Sequence, residues 1–235
     1  MKKFMASPSG RGTTTIFEKT FNHAPVGTAL VAPDGNWIVV NQALCGMLGY
    51  GEQELLAVSM RMLTYPRDLR CDRSQYSALI AGHIARYQTE KRFFHKNGAL
   101  IWAAVSVSLV RDDYGCQDFY IYQFADITEK KRRETRQQVF FDHASHLFVV
   151  VDANGYVAQA NTAWTKALGW TSTELAQRRL IDLVHPEDRD TIASPKRCMS
   201  RYLAKNGGYR RVEWLTTVFQ NGCFHYVARA LPQES

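Results

Sequence analysis

The side chains best suited to chemistry crowd one turn late in the chain. His185 lies beside Glu187 and Asp188. Asp182 precedes it by three residues, and an imidazole among carboxylates can act as a general acid or base. The earlier turn Tyr65–Asp68 has the same proline and aspartate without a histidine, so a structural role explains the cluster first. The sequence also holds no Walker loop, no Gly-x-Ser-x-Gly, His-Glu-x-x-His, Gly-Gly-Asp/Glu-Glu-Phe or Glu-Ala-Leu motif, and no kinase phosphoacceptor segment. We therefore predict no catalytic residue, and a chain that is not itself an enzyme.

The cysteines and the charge indicate where the protein works. The cysteines are odd in number and scattered without a Cys-x-x-Cys pair: Cys45, Cys71, Cys116, Cys198 and Cys223. This usage is typical of ordinary thiols in a reducing compartment, so we predict no metal site and a cytoplasmic protein. No apolar run approaches the roughly 20 residues that span a bilayer. The net charge of +7 lies largely in Lys130–Arg133, where a solvated helix face explains it better than specific nucleic-acid binding.

The sequence contains an internal repeat, so the secondary-structure elements that position any site are expected to occur twice. Without a gap, residues 21–68 and 141–188 share 14 identical positions in 48, at a constant offset of 120. The shared residues of the first copy include Phe21, Gly35, Asn41, Gly49, Glu54, Leu55, Pro66 and Asp68. A period this long, present twice, favours two tandem domains over a solenoid, whose units are shorter and more numerous.

Each copy shows the same order of local patterns. In the first copy a short amphipathic helix is predicted after Thr14, and residues 28–40 hold two β-prone runs around a glycine turn. Asn41 is suited to cap the next helix, and further helical segments follow, including Leu69–Tyr87. Three long strands then occupy residues 90–125. This order predicts an α+β fold in which a five-stranded antiparallel sheet has short helices on one face.

The ordered series, with Phe21–Tyr50, Glu90–Trp102 and the closing triplet Asp126–Thr128, resembles the PAS domain family with its C-terminal PAC portion. The resemblance covers residues 16–130 and again 137–231. The predicted organisation is a flexible leader over 1–13, PAS domain 1 with its PAC portion over 14–128, a helical linker over 129–140 and PAS domain 2 over 141–235.

The resemblance is greatest to PAS units of bacterial signalling proteins, especially cyclic-di-GMP enzymes and sensor kinases. It implies a non-catalytic sensory and dimerisation module that holds a small ligand, or none, and relays a conformational change through the linker. The expected partners are a second copy and either an output domain or a PAS-containing protein. The alternative is a part of a diguanylate cyclase, a phosphodiesterase or a histidine kinase whose catalytic domain is not in this chain.

The cofactor sites of the family can be compared with this chain position by position. Light-sensing LOV members have a reactive cysteine where this chain has Ser59–Leu63 and Arg178–Asp182, so a flavin adduct is disfavoured. Haem-binding members have a histidine where Arg73 aligns, and we expect His83 to face solvent, so haem is disfavoured as well. A non-covalent flavin, another small ligand or a pocket filled by side chains stays open, and the cofactor is unknown.

Three first-copy side chains are candidate ligand contacts: Asn41, Tyr76 and Gln123. Gln123 shares one strand phase with Phe119 and Ile121. If that phase faces inward, its amide needs a partner and can contact a ligand. Satisfying backbone groups at the sheet margin is an equally good explanation.

By the same resemblance, Asp126 and Thr128 are the signal-coupling residues. We expect Asp126 to pair with a basic residue of the sheet and Thr128 to position the following helix. Trp102 shares its strand face with serines and is expected on the outer sheet surface. A continuous helix after Thr128 would carry a shift in the sheet downstream, although a passive spacer would have the same composition.

The second copy departs from the first in two places. It lacks 11 residues between Asp188 and Asn206, and Pro195 shortens the helical region further. This predicts a smaller or more open cavity. Ala230–Pro232 replaces the Asp-Ile-Thr triplet. Three tryptophans are assigned to the core or the sheet surface: Trp164, Trp170 and Trp214.

Overall fold

The computed structural model describes residues 11–192 and 199–231, and the chain divides into two compact units, Met1–Arg132 and Arg133–Ser235. Most of the predicted leader, together with Pro195, Cys198 and Pro232, lies outside the described residues. The first unit consists of α1 (Arg11–His23), β1 (Gly27–Val31), β2 (Trp37–Val40), α2 (Gln42–Leu48), α3 (Glu52–Leu56), α4 (Met60–Leu63), a 3-10 turn (Pro66–Asp68), α5 (Arg73–Ile80), β3 (Arg86–Phe94), β4 (Leu100–Arg111) and β5 (Gln117–Asp126).

The connector and the second unit follow the same plan. They consist of α6 (Thr128–His143), β6 (Leu147–Val151), β7 (Val157–Ala160), α7 (Thr162–Leu168), α8 (Ser172–Leu175), 3-10 turns at Leu180–Leu183 and Pro186–Asp188, α9 (Arg189–Ile192), β8 (Met199–Leu203), β9 (Tyr209–Gln220) and β10 (Cys223–Ala230). The sheet orders are β2-β1-β5-β4-β3 and β7-β6-β10-β9-β8, all antiparallel. The α+β class, the two five-stranded sheets and the helical linker are confirmed.

One predicted helix is shorter than its pattern suggested. The spacing over Leu69–Tyr87 indicated a single helix, but α5 has only eight residues, Arg73–Ile80. Gly82 adopts a positive φ of 76°, which ends the helix, and the N–H of His83 bonds back to the carbonyl of Ala78. Tyr87 therefore belongs to β3 and faces the core.

The core lies between the sheet and the short helices, and alternation along the strands decides which side chains enter it. In β4, Ala103, Val105 and Val107 are buried, as their shared phase predicted. In β5 the buried phase is Tyr120, Tyr122 and Phe124. An inward phase for Phe119, Ile121 and Gln123 is therefore wrong, and Gln123 is exposed on the other face.

Candidate functional site

A cavity of about 910 Å³ opens in the first unit between the inner face of the sheet and the helical segments, and it is partly open to solvent. Its wall combines the β1–β2 turn, α4, the segment from Pro66 to Tyr76 and three inward strand positions. The residues that line it are Pro33, Asp34, Gly35, Ser59, Met60, Arg61, Thr64, Pro66, Arg67, Leu69, Arg70, Asp72, Arg73, Tyr76, Tyr87, Lys91 and Tyr122. The volume is that of a site for a small organic molecule.

An ion pair lies in the wall of this cavity. Asp72, which precedes α5, is only 6% exposed. Its carboxylate lies 2.9 Å from Lys91 Nζ and accepts a hydrogen bond of 2.7 Å from the Tyr87 hydroxyl. Burial first, and then this hydrogen bond to Asp72, raise the pKa of Tyr87, so the phenol stays a donor at physiological pH. The three groups satisfy one another, and the pair is close to electrically neutral.

Two further tyrosines line the cavity, Tyr76 and Tyr122, and they differ in whether the hydroxyl has a hydrogen-bond partner. The Tyr76 hydroxyl donates to Tyr120 Oη at 3.0 Å, and Tyr120 donates to Gln117 Oε1 at 3.1 Å. Tyr122 also lines the cavity and is 7% exposed, but within the described residues its hydroxyl has no hydrogen-bond partner. Burial raises the pKa of Tyr122, so its hydroxyl remains protonated and can donate to a bound molecule.

The outer wall of the cavity is basic. Arg61, Arg67, Arg70 and Arg73 all line it and are exposed. In the part of the chain that the structure describes, none of these four guanidinium groups has an ion-pair or hydrogen-bond partner. With Lys91, five basic side chains face two acidic ones across the lining.

The turn that carries Pro66 and Arg67 is anchored to the outer sheet surface. Asp68, in the same turn, accepts two hydrogen bonds from the Arg92 guanidinium, at 2.9 and 2.7 Å, and one from the Arg92 backbone N–H. These hydrogen bonds from Arg92 lower the pKa of Asp68. The guanidinium of Arg92 also lies 5.1 Å from the centre of the Trp102 ring.

Trp102 in turn contacts the start of α6. Lys131 Nζ lies 5.5 Å from the ring centre and forms an ion pair of 2.7 Å with Glu90 of β3. The Trp102 backbone N–H donates to Thr128 Oγ1 at 2.9 Å, and the carboxylate of Asp126 accepts from the Thr128 N–H at 2.8 Å. Thr128 therefore positions the helix, whereas Asp126 makes that local bond instead of pairing with a basic residue of the sheet within the described ranges.

Asn41 uses its whole amide to hold local backbone together. Its oxygen accepts from Thr28 N–H and Leu44 N–H, at 2.8 and 3.0 Å. Its nitrogen donates to the carbonyls of Phe21 and Val26, at 3.0 and 2.9 Å. Asn41 thus caps α2, as predicted, and ties α1 to β1. That Asn41 contacts a ligand stays a prediction. Both the oxygen and the nitrogen of its amide already make two hydrogen bonds to the backbone.

The structure places the two other predicted ligand contacts, Tyr76 and Gln123, on different sides of the sheet. Tyr76 lines the cavity, whereas Gln123 lies on the opposite face of the sheet. Sequence reasoning missed Asp72, Lys91 and Tyr122. A signal was present in β3, where Lys91 shares the inward phase of two aromatic residues, Tyr87 and Phe93.

The positions compared with known cofactor sites carry no metal or thiol cluster within the described ranges. Arg73, at the position of a haem ligand, lines the cavity, and His83 is exposed. Cys45 is half-buried on α2, and burial raises the pKa of its thiol. Of these three residues Arg73 lines the cavity, where its guanidinium can offer a ligand hydrogen bonds and positive charge.

The second unit fills the equivalent core with larger side chains. Trp164, Tyr202 and Trp214 occupy the positions of Leu44, Phe93 and Val105 in the first unit. All three are buried and their rings pack edge-on or tilted at 5.6–6.3 Å. The Trp164 indole N–H donates to the carbonyl of Phe148 at 3.0 Å.

The second unit is 11 residues shorter between Asp188 and Asn206, and part of the inner face of its sheet is more exposed. In the first unit Tyr120 is 1% exposed because Tyr76 of α5 stacks on it at 5.5 Å. Its counterpart in β10, Phe224, is 37% exposed and packs against Phe219, which is 61% exposed. Each unit therefore has its own sheet of the same strand order, and within the described residues the inner face of the second sheet is more exposed than that of the first.

A five-stranded antiparallel sheet whose inner face, together with short helices, encloses a small-molecule cavity defines a class of sensory domain. Comparison with known families agrees: a model described as "PAS domain" matches residues 25–129 and one described as "PAS fold" matches residues 135–231. The chain belongs to the PAS family and contains two PAS domains in tandem.

Similar proteins come from bacterial signalling. The chain is 41% identical over 124 residues to the probable diguanylate cyclase DgcE of Escherichia coli, covering 53% of this chain and 11% of that protein. It is 29% identical over 124 residues to the sensor histidine kinase TmoS of Ectopseudomonas mendocina, covering 52% and 13%. This chain therefore spans only about an eighth of those relatives. A PAS domain crystal structure from Colwellia psychrerythraea matches with a TM-score of 0.46 at 18% identity, covering 50% of this chain and 98% of that one.

These matches establish that the chain contains PAS sensory domains and that its relatives include bacterial signalling proteins. Within the described residues, no helix combines the length and apolar character needed to cross a membrane.

Proposed function

We propose that this chain is a cytoplasmic sensory and dimerisation module in which the first PAS domain binds a small ligand and α6 relays the change. The observation that carries the proposal is the cavity of about 910 Å³, whose wall includes the hydroxyl of Tyr122, a residue 7% exposed, without a hydrogen-bond partner in the described part of the chain. This hydroxyl is free to donate a hydrogen bond to an acceptor atom of a molecule bound in the cavity. The chain itself is proposed to be non-catalytic.

The relay is proposed to run along the contacts between the cavity and α6. A ligand against Pro66 and Arg67 would shift the turn that holds Asp68. Because Asp68 is bidentate on Arg92, and Arg92 stacks on Trp102, that shift would change the contacts of Trp102 with α6. Asp126 and Thr128 remain the proposed signal-coupling residues at the start of the helix.

The second domain is proposed to transmit or pair and not to bind a ligand. Its core space is taken by Trp164, Tyr202 and Trp214. The output is proposed to lie in an attached domain or in a PAS-containing partner. Similarity to DgcE, at 41% identity, favours cyclic-di-GMP signalling, with a histidine kinase as the second candidate.

Native mass spectrometry and a UV–visible spectrum of the purified chain test this proposal. We expect a dimer that carries a non-covalent adduct, and a weaker adduct in Met60→Trp, because a tryptophan at this lining position fills the cavity. The neutral probe N-phenyl-1-naphthylamine should bind the unliganded chain and lose affinity in the same variant. A monomer at tens of micromolar would contradict dimerisation. Probe binding that Met60→Trp leaves unchanged, with no adduct, would contradict ligand binding.

A further inference from the structure

We infer that the ligand of the first domain is an organic anion, with a carboxylate or phosphate group held by the arginines of the cavity and an acceptor atom at Tyr122. This assignment rests on the proposed ligand-binding function and specifies its chemical class. It follows from the charge, the polar groups and the apolar surface of the lining.

The charge of the lining is not balanced from within. The carboxylate of Asp72 is already neutralised by Lys91 at 2.9 Å, so it neither repels a ligand anion nor offsets the arginines. Asp34 accepts hydrogen bonds of 3.0 and 2.9 Å from Asn36 and keeps its single negative charge, which the four lining arginines outnumber. The guanidinium groups of the four lining arginines have no partner within the described residues. An anion would therefore enter a positive field that a neutral molecule does not sense.

The chemistry of the donors favours an oxyanion. A guanidinium presents its N–H groups as a planar fork that matches two oxygens of a carboxylate or phosphate. Arg73 is the first residue of α5, Arg70 lies three residues before it, and both line the cavity near Asp72. Two such groups can hold one oxyanion at the mouth of the cavity.

The rest of the wall describes the body of the ligand. Met60 and Leu69 supply apolar surface, and the buried ring of Tyr122 adds to it. The Tyr122 hydroxyl, which has no partner within the described residues, can donate to an acceptor atom there. The class is therefore an aromatic or short apolar anion with a second polar atom remote from its charge.

Two fluorescent probes that differ in charge test the inference on the full chain. The anion is 8-anilinonaphthalene-1-sulfonate, whose sulfonate stands in for the oxyanion, and the neutral partner is N-phenyl-1-naphthylamine. In Arg70→Gln/Arg73→Gln we expect the affinity for the sulfonate to fall about tenfold and the affinity for the neutral probe to stay within about twofold. Arg86→Gln, an exposed arginine outside the cavity, is the matched control and should change neither affinity. Thermal unfolding of each variant confirms that it folds.

The outcomes separate this inference from the proposed function. If the double variant bound the sulfonate probe as tightly as the parent chain does, the anion assignment would be overturned. The same holds if the double variant lost affinity for both probes by the same factor. If Met60→Trp still removed binding of the neutral probe, the cavity would remain a ligand site. If Met60→Trp affected neither probe, both the anion assignment and ligand binding in the cavity would fail. Displacement of the sulfonate by benzoate or by phenyl phosphate at constant ionic strength then distinguishes a carboxylate from a phosphate ligand.

Discussion

Replacing Asp72 with asparagine is expected to destabilise the first domain strongly. Asp72 and Lys91 lie 2.9 Å apart, and their side chains are 9% and 13% exposed. The amide keeps the size of the carboxylate and can still accept the Tyr87 hydroxyl, so the change isolates the charge. Leaving one charge of a buried pair alone costs about 3–5 kcal/mol. Because roughly a tenth of each side chain still meets water, we expect the lower end, about 3 kcal/mol.

The same domain contains a matched control at the surface. Glu54 lies 2.6 Å from Lys96, but both side chains are 50% exposed. Glu54→Gln makes the same carboxylate-to-amide change without stranding a buried charge, so its effect on the free energy of unfolding should be much smaller. The comparison separates burial from distance, since the exposed pair is the closer of the two, at 2.6 Å against 2.9 Å.

Hydrogen exchange of the full chain, followed by mass spectrometry, measures the effect domain by domain. Protected amides of β3 and β5 should exchange about a hundredfold faster in Asp72→Asn, while β9 and β10 are unchanged. The double variant Asp72→Asn/Lys91→Met should recover much of the protection, because no unpaired charge remains buried. Equal acceleration by Asp72→Asn and Glu54→Gln would refute the reasoning that burial decides the size of the effect.

Three further outcomes are expected. Arg201 donates hydrogen bonds to Asp188 and holds the pKa of that carboxyl at about 2, below the usual 3.8. The stabilisation is therefore present above about pH 4 and is lost as the pH falls to about 2. In Asp188→Asn the stability of the second domain, followed by near-UV circular dichroism, should depend less on pH in this window. Trp102→Leu removes two cation–π contacts worth about 0.5–1 kcal/mol each, so amides in the first turn of α6 should exchange about 5- to 30-fold faster with the sheet unaffected. Unchanged exchange would show that the ring does not hold the helix. Trp164→Leu restores the residue of the first domain at this position but leaves a void in the second, and should lower its free energy of unfolding by about 2–4 kcal/mol in urea titrations.

The identity of the elements was predictable because it depends on local patterns. The turn glycines Gly35 and Gly155 have φ of 89° and 87°, which glycine adopts readily and other residues rarely do. Asn41 caps its helix through a contact three residues away, so the residue type alone indicated it. The repetition of such signals at one offset predicted the duplicated fold. The boundary of α5 was missed because helical spacing continues past Gly82, where the backbone turns.

The members of the candidate site were not predictable in the same way. Both phases of β5 contain aromatic or aliphatic residues, so periodicity cannot choose between Gln123 and Tyr122 as the inward residue. The choice is made by the helices that cover one face of the sheet.

The sequence by itself determined two tandem domains of one α+β plan, because strand alternation, turn glycines and helix caps act over a few residues, and its resemblance to PAS domains indicated the family. Only the tertiary structure decided that Asp72 meets Lys91 and Tyr87, and that Tyr122 is left without a partner in a basic cavity. Those relations depend on which segments pack against one another across distances of 15 to 50 residues in the chain, and no local pattern encodes them.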